Sequence, residues 1–394
     1  MKKSHCRFAA VLTAGMIVFV QLFCPLRLAV SSAYADAALE LSGVACALLM
    51  DTATGKVIYE KAADEQKEFA GLVRLPALLL ICRAFDDGMI FDNTVVTVSA
   101  EASKIKGTTA FLAANERINA DSLLKAAVML NAGDAVCALL QALYPSEAAG
   151  TEAVNALLSS LGINKDLPTA MGAGAEFSAN EIAAVSIELI KSPSFLKYSS
   201  LYTDTLRHEA AADTELTNPN RLVRHYSGCF GLATGSVGSS MYCGAFAARR
   251  GGTAFIAVVG GAAGSDARFT AARELLDYGF SAYRTVELMG EGEAVAVLPV
   301  TGGTLREVSV VTGASASVLA PVNDAKVTSE SELPEFVEAP IAEGDTLGEL
   351  IVYNSGGAVI SRVPLVAAHT VERAEFGDYF MLMLRRWLGS DCEM

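Results

Sequence analysis

Glu68-Phe69-Ala70-Gly71-Leu72-Val73-Arg74-Leu75-Pro76-Ala77 leads straight into the apolar run Leu78-Leu79-Leu80-Ile81-Cys82, and this junction decides the fold. Upstream, Ala45-Cys46-Ala47-Leu48-Leu49-Met50-Asp51 and Thr54-Gly55-Lys56-Val57-Ile58-Tyr59-Glu60 read as two apolar strands joined by a glycine turn. Downstream, the apolar run predicts a buried helix over residues 78–85 that stops at Asp86-Asp87-Gly88. A turn between a strand and a buried helix is where many folds hold a nucleophile, because the helix start offers free N–H groups and a positive dipole. Here the turn carries glycine and arginine, with no serine, cysteine or threonine.

Outward from that junction, Val95-Val96-Thr97-Val98 is a short strand. Residues 122–144 are strongly apolar but broken at Asn131-Ala132-Gly133-Asp134, which predicts two helical halves with a polar step between them. Further helices are predicted over 148–161 and 178–191, the second opened by Ser178 with Glu181 three residues on, a capping-box signature. A polar link leads to strands at 228–234 and 241–248, with a Gly/Ser turn between them. A third strand at 254–259 ends in Gly260-Gly261, and a helix over 268–278 follows. One strand pair before a helical block, and three strands with a helix after it, predict one antiparallel sheet faced by helices. From about Tyr283, Val-rich strands at 294–300, 307–311, 317–320, 347–353 and 359–363 alternate with glycine turns, predicting a small all-β domain. The fold class is α+β, with expected domains at 36–282 and 283–370 and a tail at 371–394.

The chain has 394 residues, enough for two domains. It opens with Lys2, Lys3 and Arg7, an apolar run over 8–20, and Ala33-Tyr34-Ala35 before Asp36, the pattern of a cleaved signal peptide. An uncleaved anchor is the alternative, since residues 8–24 approach the ~17–25 that a bilayer needs. Bulky Phe23 argues against a lipid anchor at Cys24. Without residues 1–35, which carry four basic and no acidic side chains, the formal charge moves from −14 to −18, which disfavours a nucleic-acid partner. Six cysteines then remain, four of them in apolar patterns that suit a small buried hydrophobe. Cys229 and Cys243 flank a hairpin, where a disulfide is an option in an oxidising compartment but not the expectation. No C-x-x-C or H-E-x-x-H occurs, and His5, His208, His225 and His369 are scattered, so neither a metal nor another cofactor is expected. The tail segment Phe376-Gly377-Asp378-Tyr379-Phe380-Met381-Leu382-Met383-Leu384-Arg385-Arg386-Trp387-Leu388 places aromatics at helical spacing beside two arginines. It is too short to span a bilayer but suits a helix at headgroup level; a helix packed on its own domain is an equal alternative.

Together these pieces resemble the serine D-alanyl-D-alanine carboxypeptidases, the low-molecular-weight penicillin-binding proteins of peptidase family S11. The resemblance covers nearly the whole chain after residue 35. It rests on Met50-Asp51-x-x-x-Gly55-Lys56-Val57, Leu123-Leu124-Lys125-Ala126, Ala132-Gly133-Asp134-Ala135, Asn218-x-Asn220-Arg221-Leu222 and Gly231-Leu232-Ala233-Thr234-Gly235. It continues through Arg268-Phe269, Leu275-Leu276-Asp277-Tyr278-Gly279-Phe280, Ala339-Pro340-Ile341-x-x-Gly344-x-x-x-Gly348 and Val363-Pro364-Leu365-Val366-Ala367. The resemblance implies a β-lactamase/transpeptidase-like first domain and three motifs, S-x-x-K, S-x-N and K-T-G. In that family the serine attacks the carbonyl between two D-alanines, and water later cleaves the acyl-enzyme. The lysine one turn on takes the serine proton, and the K-T-G strand holds the peptide's carboxylate and part of the oxyanion hole.

Carried over residue by residue, the first motif's serine falls on Gly71 and its lysine on Arg74. The second motif becomes Asn131 and Gly133, and the third becomes Ala233 with Thr234 and Gly235 kept. Glycine has no attacking atom, and arginine stays protonated and cannot act as a base. Pro76, favoured in a first helical turn, places the helix start near itself and leaves Gly71 outside that turn. Two other S-x-x-K matches, from Ser103 to Lys106 and from Ser194 to Lys197, do not follow the strand pair into a buried helix. Ser236 and Ser239 are expected to be turn residues without a base. What the resemblance leaves is binding, through the N–H groups of Gly71 and Ser236, the Thr234 hydroxyl, Gly235, Asn131 and an Arg74 able to meet a carboxylate bidentately.

The expectation is therefore an exported, envelope-associated homologue at the outer face of the cytoplasmic membrane that has lost catalysis and binds a peptidoglycan stem peptide or a protein partner. The alternative is an active carboxypeptidase with a rearranged site. A third reading makes the β domain and tail a docking device, with the first domain as spacer.

Overall fold

A computed structural model of the protein describes residues 39–209, 212–238, 241–322 and 327–387. The signal-peptide pattern, Ser239 and Cys392 lie outside the described residues. The opening hairpin is β1 (Cys46–Asp51) and β2 (Val57–Lys61). The second strand starts later than expected because Thr54 belongs to the turn: its N–H and hydroxyl donate to Asp51 Oδ2 at 2.9 and 2.6 Å. A 3-10 turn, Ala70–Arg74, then runs into α1 (Leu75–Asp86), with Pro76 in the first turn, where a missing N–H leaves no intrahelical bond unmade.

The interrupted apolar stretch is α2 (Ala120–Leu130) and α3 (Gly133–Leu143). Asn131 ends α2 at φ 52°, a left-handed conformation that asparagine adopts more readily than most residues. The block also holds α4 (Glu147–Ser160), α5 (Ala179–Leu189), α6 (Pro193–Ser199) and α7 (Leu222–His225). It is not all helical. Two small hairpins interrupt it, β3 (Val95–Thr97) with β4 (Arg117–Asn119) and β5 (Thr203–Leu206) with β6 (Thr214–Thr217).

The strand expected at 228–234 is split into β7 (Cys229–Gly231) and β8 (Thr234–Val237); both pair with β9 (Met241–Arg250). Ser236 therefore lies in a strand rather than a turn, because pairing with β9 continues to Val237. Next come β10 (Thr253–Ala262) and α8 (Ser265–Ala282). The antiparallel sheet runs β2-β1-β10-β9-β7, with β8 also on β9, so its strands come from both ends of the domain. Leu48, Met50, Ile256 and Val258 join the core shared with α1 and α5. On the opposite face, Phe255 meets Phe280 of α8 with ring centroids 4.9 Å apart. With both faces covered, all six residues of β1 are buried, which is why it reads as an unbroken apolar run.

The capping box at Ser178 forms as the sequence predicts: its hydroxyl accepts the Glu181 N–H at 3.1 Å and Glu181 Oε2 accepts the Ser178 N–H at 2.8 Å. Ser178→Ala is expected to lower stability by about 1 kcal/mol in urea denaturation, the usual loss for an N-cap.

The strand register keeps two thiols apart. Cys229 stands opposite Ala248, whereas Cys243 stands opposite Gly235, so they do not meet as a disulfide and both are free. Cys243 instead donates to the Phe69 carbonyl at 3.0 Å.

A second core forms from Leu298, Val308, Val310, Leu350, Val363, Leu365 and their neighbours. It is built on a six-stranded sheet and a separate pair, Tyr283–Met289 with Ala316–Pro321. The edge strand Thr328–Glu332, all polar and exposed, gave no apolar signal in the sequence. Buried Asp51 ties the two regions together, its Oδ1 accepting the Thr285 hydroxyl at 3.2 Å. After the sheet the chain stays pinned: Ile341 and Val371 exchange backbone bonds, and the Ala374 N–H donates to the Gly302 carbonyl at 2.8 Å. Then α9 (Phe376–Trp387) stands clear. Phe376 is 83% exposed and Trp387 88%, and Tyr379, Phe380, Met381 and Met383 are exposed too, so none of these side chains is packed on the β domain. No helix among the described residues is long and apolar enough to cross a membrane.

Candidate functional site

The 3-10 turn, the loop segments at 105–108 and 171–175, and strand β8 meet at a groove of about 860 Å³. Gly71, Arg74, Thr234, Gly235 and Ser236 line it, with Glu68, Lys106, Tyr242 and Arg268. Asn131, Gly133 and Ala233 do not. Ala233 is buried in the sheet, and its carbonyl accepts the Ala245 N–H at 2.9 Å. Asn131 is buried because its left-handed backbone turns the side chain toward the 3-10 turn, where Nδ2 donates to the Gly71 carbonyl at 2.7 Å. The expectation that Asn131 offers its amide to a ligand is thereby corrected.

Arg74 dominates the floor. Its Nη2 donates to the Asn131 carbonyl at 3.0 Å, so Arg74 and Asn131 brace the turn against the α2–α3 junction from both sides. The guanidinium stands against both Gly71 and Gly133. A Cβ built on Gly71 would stand 3.0 Å from Arg74 Nη2, and one built on Gly133 would stand 2.7 Å from Arg74 Nη1 and 2.7 Å from Ile105 Cγ2. A side chain at 71 would press on the end of this arginine, and one at 133 would require the guanidinium and Ile105 to shift. The substitutions at 71, 74 and 133 form one packing unit.

Burial pulls the Arg74 guanidinium below its ordinary value, partly offset by the carboxylate of Asp134. An arginine so displaced still keeps its proton at neutral pH. Asp134 is not its partner in contact, for both its oxygens are taken by N–H groups of Ala110, Leu112 and Ala135 at 2.9 to 3.2 Å. Among the described residues no carboxylate lies within ion-pair distance of Arg74, and its Nε is buried without a hydrogen-bond partner.

The N–H donors of the site survive. The bond from Ala245 to Ala233 fixes the alternation along β8, so Gly235 and Cys243 are the next bonded pair and the Ser236 N–H faces the other edge. Gly71, second in the 3-10 turn, lies where helical N–H groups lack an intrahelical acceptor. Strand β8 packs against this turn, bringing the two positions to one wall. Arg268 braces the strand from behind, its Nη1 donating to the carbonyls of Gly235 and Cys243 at 2.9 and 3.0 Å.

Three other side chains that could attack, Cys243, Ser103 and Ser194, are not set up for it. Cys243 lies beside Gly235, but burial pushes its thiol up to about 12, so it is not a thiolate at neutral pH. Ser103 is half-buried on a short 3-10 turn and donates to the Ala100 carbonyl. Ser194 starts α6 away from the groove; partial burial pulls its Lys197 down, but hydrogen bonds to Asp121 and Asp92 hold that ammonium well above its ordinary value. Lys106 and Arg268 line the groove and were not picked as site residues from sequence. Arg268 had a signal in the Arg268-Phe269 pair of the resemblance, and Lys106 in the S-x-x-K match that starts at Ser103.

A family model described as D-alanyl-D-alanine carboxypeptidase matches residues 35–264, and one described as the C-terminal domain of penicillin-binding protein 5 matches residues 283–373. The chain is 29% identical to D-alanyl-D-alanine carboxypeptidase DacF of Bacillus subtilis over 349 residues, covering 86% of this chain and 89% of that protein. It is 26% identical to D-alanyl-D-alanine carboxypeptidase DacC of Escherichia coli over 365 residues, covering 87% and 89%. Penicillin-binding protein 5 of Haemophilus influenzae superposes with a TM-score of 0.73 at 20% identity, over 84% of this chain and 98% of that one. A peptidoglycan synthesis regulatory factor (PBP3) of Streptococcus pneumoniae does so with a TM-score of 0.65 at 22% identity, over 84% and 99%. With the first model alone spanning more than half of its length, this chain belongs to the D-alanyl-D-alanine carboxypeptidase family.

Proposed function

We propose that this protein is a non-hydrolysing member of its family that binds peptidoglycan stem peptides in the retained groove during cell-wall metabolism. It is exported and held at the outer face of the cytoplasmic membrane by its C-terminal helix. One observation carries the loss of hydrolysis: the Arg74 guanidinium stands against Gly71 and Gly133, where a nucleophile and an asparagine would press on it. Binding is supported by the intact groove, the Gly71 and Ser236 donors and the Thr234 hydroxyl at its wall. The exposed aromatic residues of α9 support the membrane role, since a short amphipathic helix rests at headgroup level. The domain division expected from sequence, 36–282 and 283–370, fits two separate hydrophobic cores.

A fluorescent penicillin is expected to leave no covalent adduct on the purified protein, while cell-wall sacculi retain it in a pull-down that Arg74→Glu weakens. An adduct mapped to Ser236 would instead favour a rearranged active enzyme, and sacculi that retain nothing would refute the binding role.

A further inference from the structure

The geometry points to a ligand of a particular chemical class: a stem peptide already trimmed by a carboxypeptidase, ending in a free D-alanine carboxylate seated on Arg74. This inference rests on the peptide-groove reading and sharpens it. An active relative takes the untrimmed peptide, whose reacting carbonyl is a neutral amide. Hydrolysis adds water across that C–N bond; the carbonyl carbon becomes a carboxylate and the last D-alanine departs as a free amine. Here the place of attack holds a cation, which complements the carboxylate created at that carbon, whereas the untrimmed peptide has a neutral amide there and its own carboxylate one residue further on.

Three observations support the choice. First, Arg74 has an unmet demand for an anion. Of its five N–H groups one has a hydrogen-bond partner, Nε is buried without one, and Asp134 is already saturated by backbone donors. A buried charge left without a counter-ion is unfavourable, and a ligand carboxylate relieves it, whereas a neutral amide does not. Secondly, the groove is lined by Arg74, Lys106 and Arg268 against Glu68 as the one acid, in a chain whose formal charge is −14. The excess of positive charge is therefore local to this groove. Thirdly, the donors match in number. A carboxylate accepts about four hydrogen bonds, which the guanidinium and the N–H groups of Gly71 and Ser236 can supply. An amide carbonyl accepts two. The reaction class that must supply this ligand is D,D-carboxypeptidation, so the protein stands downstream of its catalytic relatives.

The test is isothermal titration of the purified protein with three probes: diacetyl-L-lysyl-D-alanine, its C-terminal amide, and diacetyl-L-lysyl-D-alanyl-D-alanine. The acid is expected to bind at least about tenfold more tightly than its amide or the longer peptide, and Arg74→Gln is expected to level the three. Comparing acid with amide on the unaltered protein keeps the test decisive if that variant does not fold. Equal or tighter binding of the longer peptide would overturn the trimmed-stem assignment and leave the peptide groove standing. Binding of none of the three would overturn both. Acetate competing as strongly as the dipeptide acid would overturn the peptide class in favour of simple anion binding.

Discussion

Gly71→Ser, made alone, is expected to release no D-alanine and to melt below the parent protein. The new Cβ would start 3.0 Å from Arg74 Nη2 and 3.3 Å from Asn131 Nδ2, before the hydroxyl is added. Overpacking of this kind costs about 1–3 kcal/mol, or on the order of 5 °C in a domain of this size. The added oxygen also has no base, since Arg74 keeps its proton. Loss of nucleophile and base together lowers turnover about a million-fold in serine hydrolases, and a serine without its base recovers little of that. Release above background is expected only when Gly71→Ser is joined by Arg74→Lys, Asn131→Ser, Gly133→Asn and Ala233→Lys. An oxidase-coupled assay of D-alanine, with thermal melts of each variant, checks both halves. Measurable release from the parent or from the single variant would refute the account of the site.

Asp134→Ala is expected to be the most destabilising single substitution near the groove, by about 3–5 kcal/mol. Asp134 is 2% exposed, and its carboxylate holds the N–H groups of Ala110, Leu112 and Ala135. Hydrogen bonds to a charged acceptor are each worth about 1.5–3 kcal/mol, and truncation leaves their donors buried and unmet. The carboxylate also sits in the first turn of α3, where negative charge is favoured. Asp134→Asn keeps one acceptor oxygen and is expected to lose about half as much. Urea denaturation gives the magnitudes, and hydrogen exchange at Ala110 and Leu112 reports whether the loop has been released.

Much of this architecture was visible along the chain because its causes are local. An unbroken apolar run marked β1, Ser178 with Glu181 marked a helix start, and Asn131 through Asp134 marked the break between α2 and α3. β3 was marked by Val95 through Val98, but its partner β4 and the hairpin of β5 with β6 were not visible, since strands of three or four residues in largely polar sequence are held by what packs around them. Gly71 and Arg74, at the positions where the resemblance expects serine and lysine, were plain in the sequence. How they pack together was not readable. Arg74 reaches a carbonyl 57 residues away, and no spacing rule says that its guanidinium stands against Gly133. Asn131 misled for a related reason: its motif position implied an exposed donor, whereas its backbone conformation turns it inward.

The way the chain leaves the β domain has a mechanical consequence. Backbone bonds hold it as far as Ala374, so Glu375 alone stands between that anchor point and α9, and the Glu375 N–H is itself fastened to Asp378 at 2.8 Å. The helix has no leash. A surface that captured its aromatic residues would hold the β domain within one residue's reach of itself.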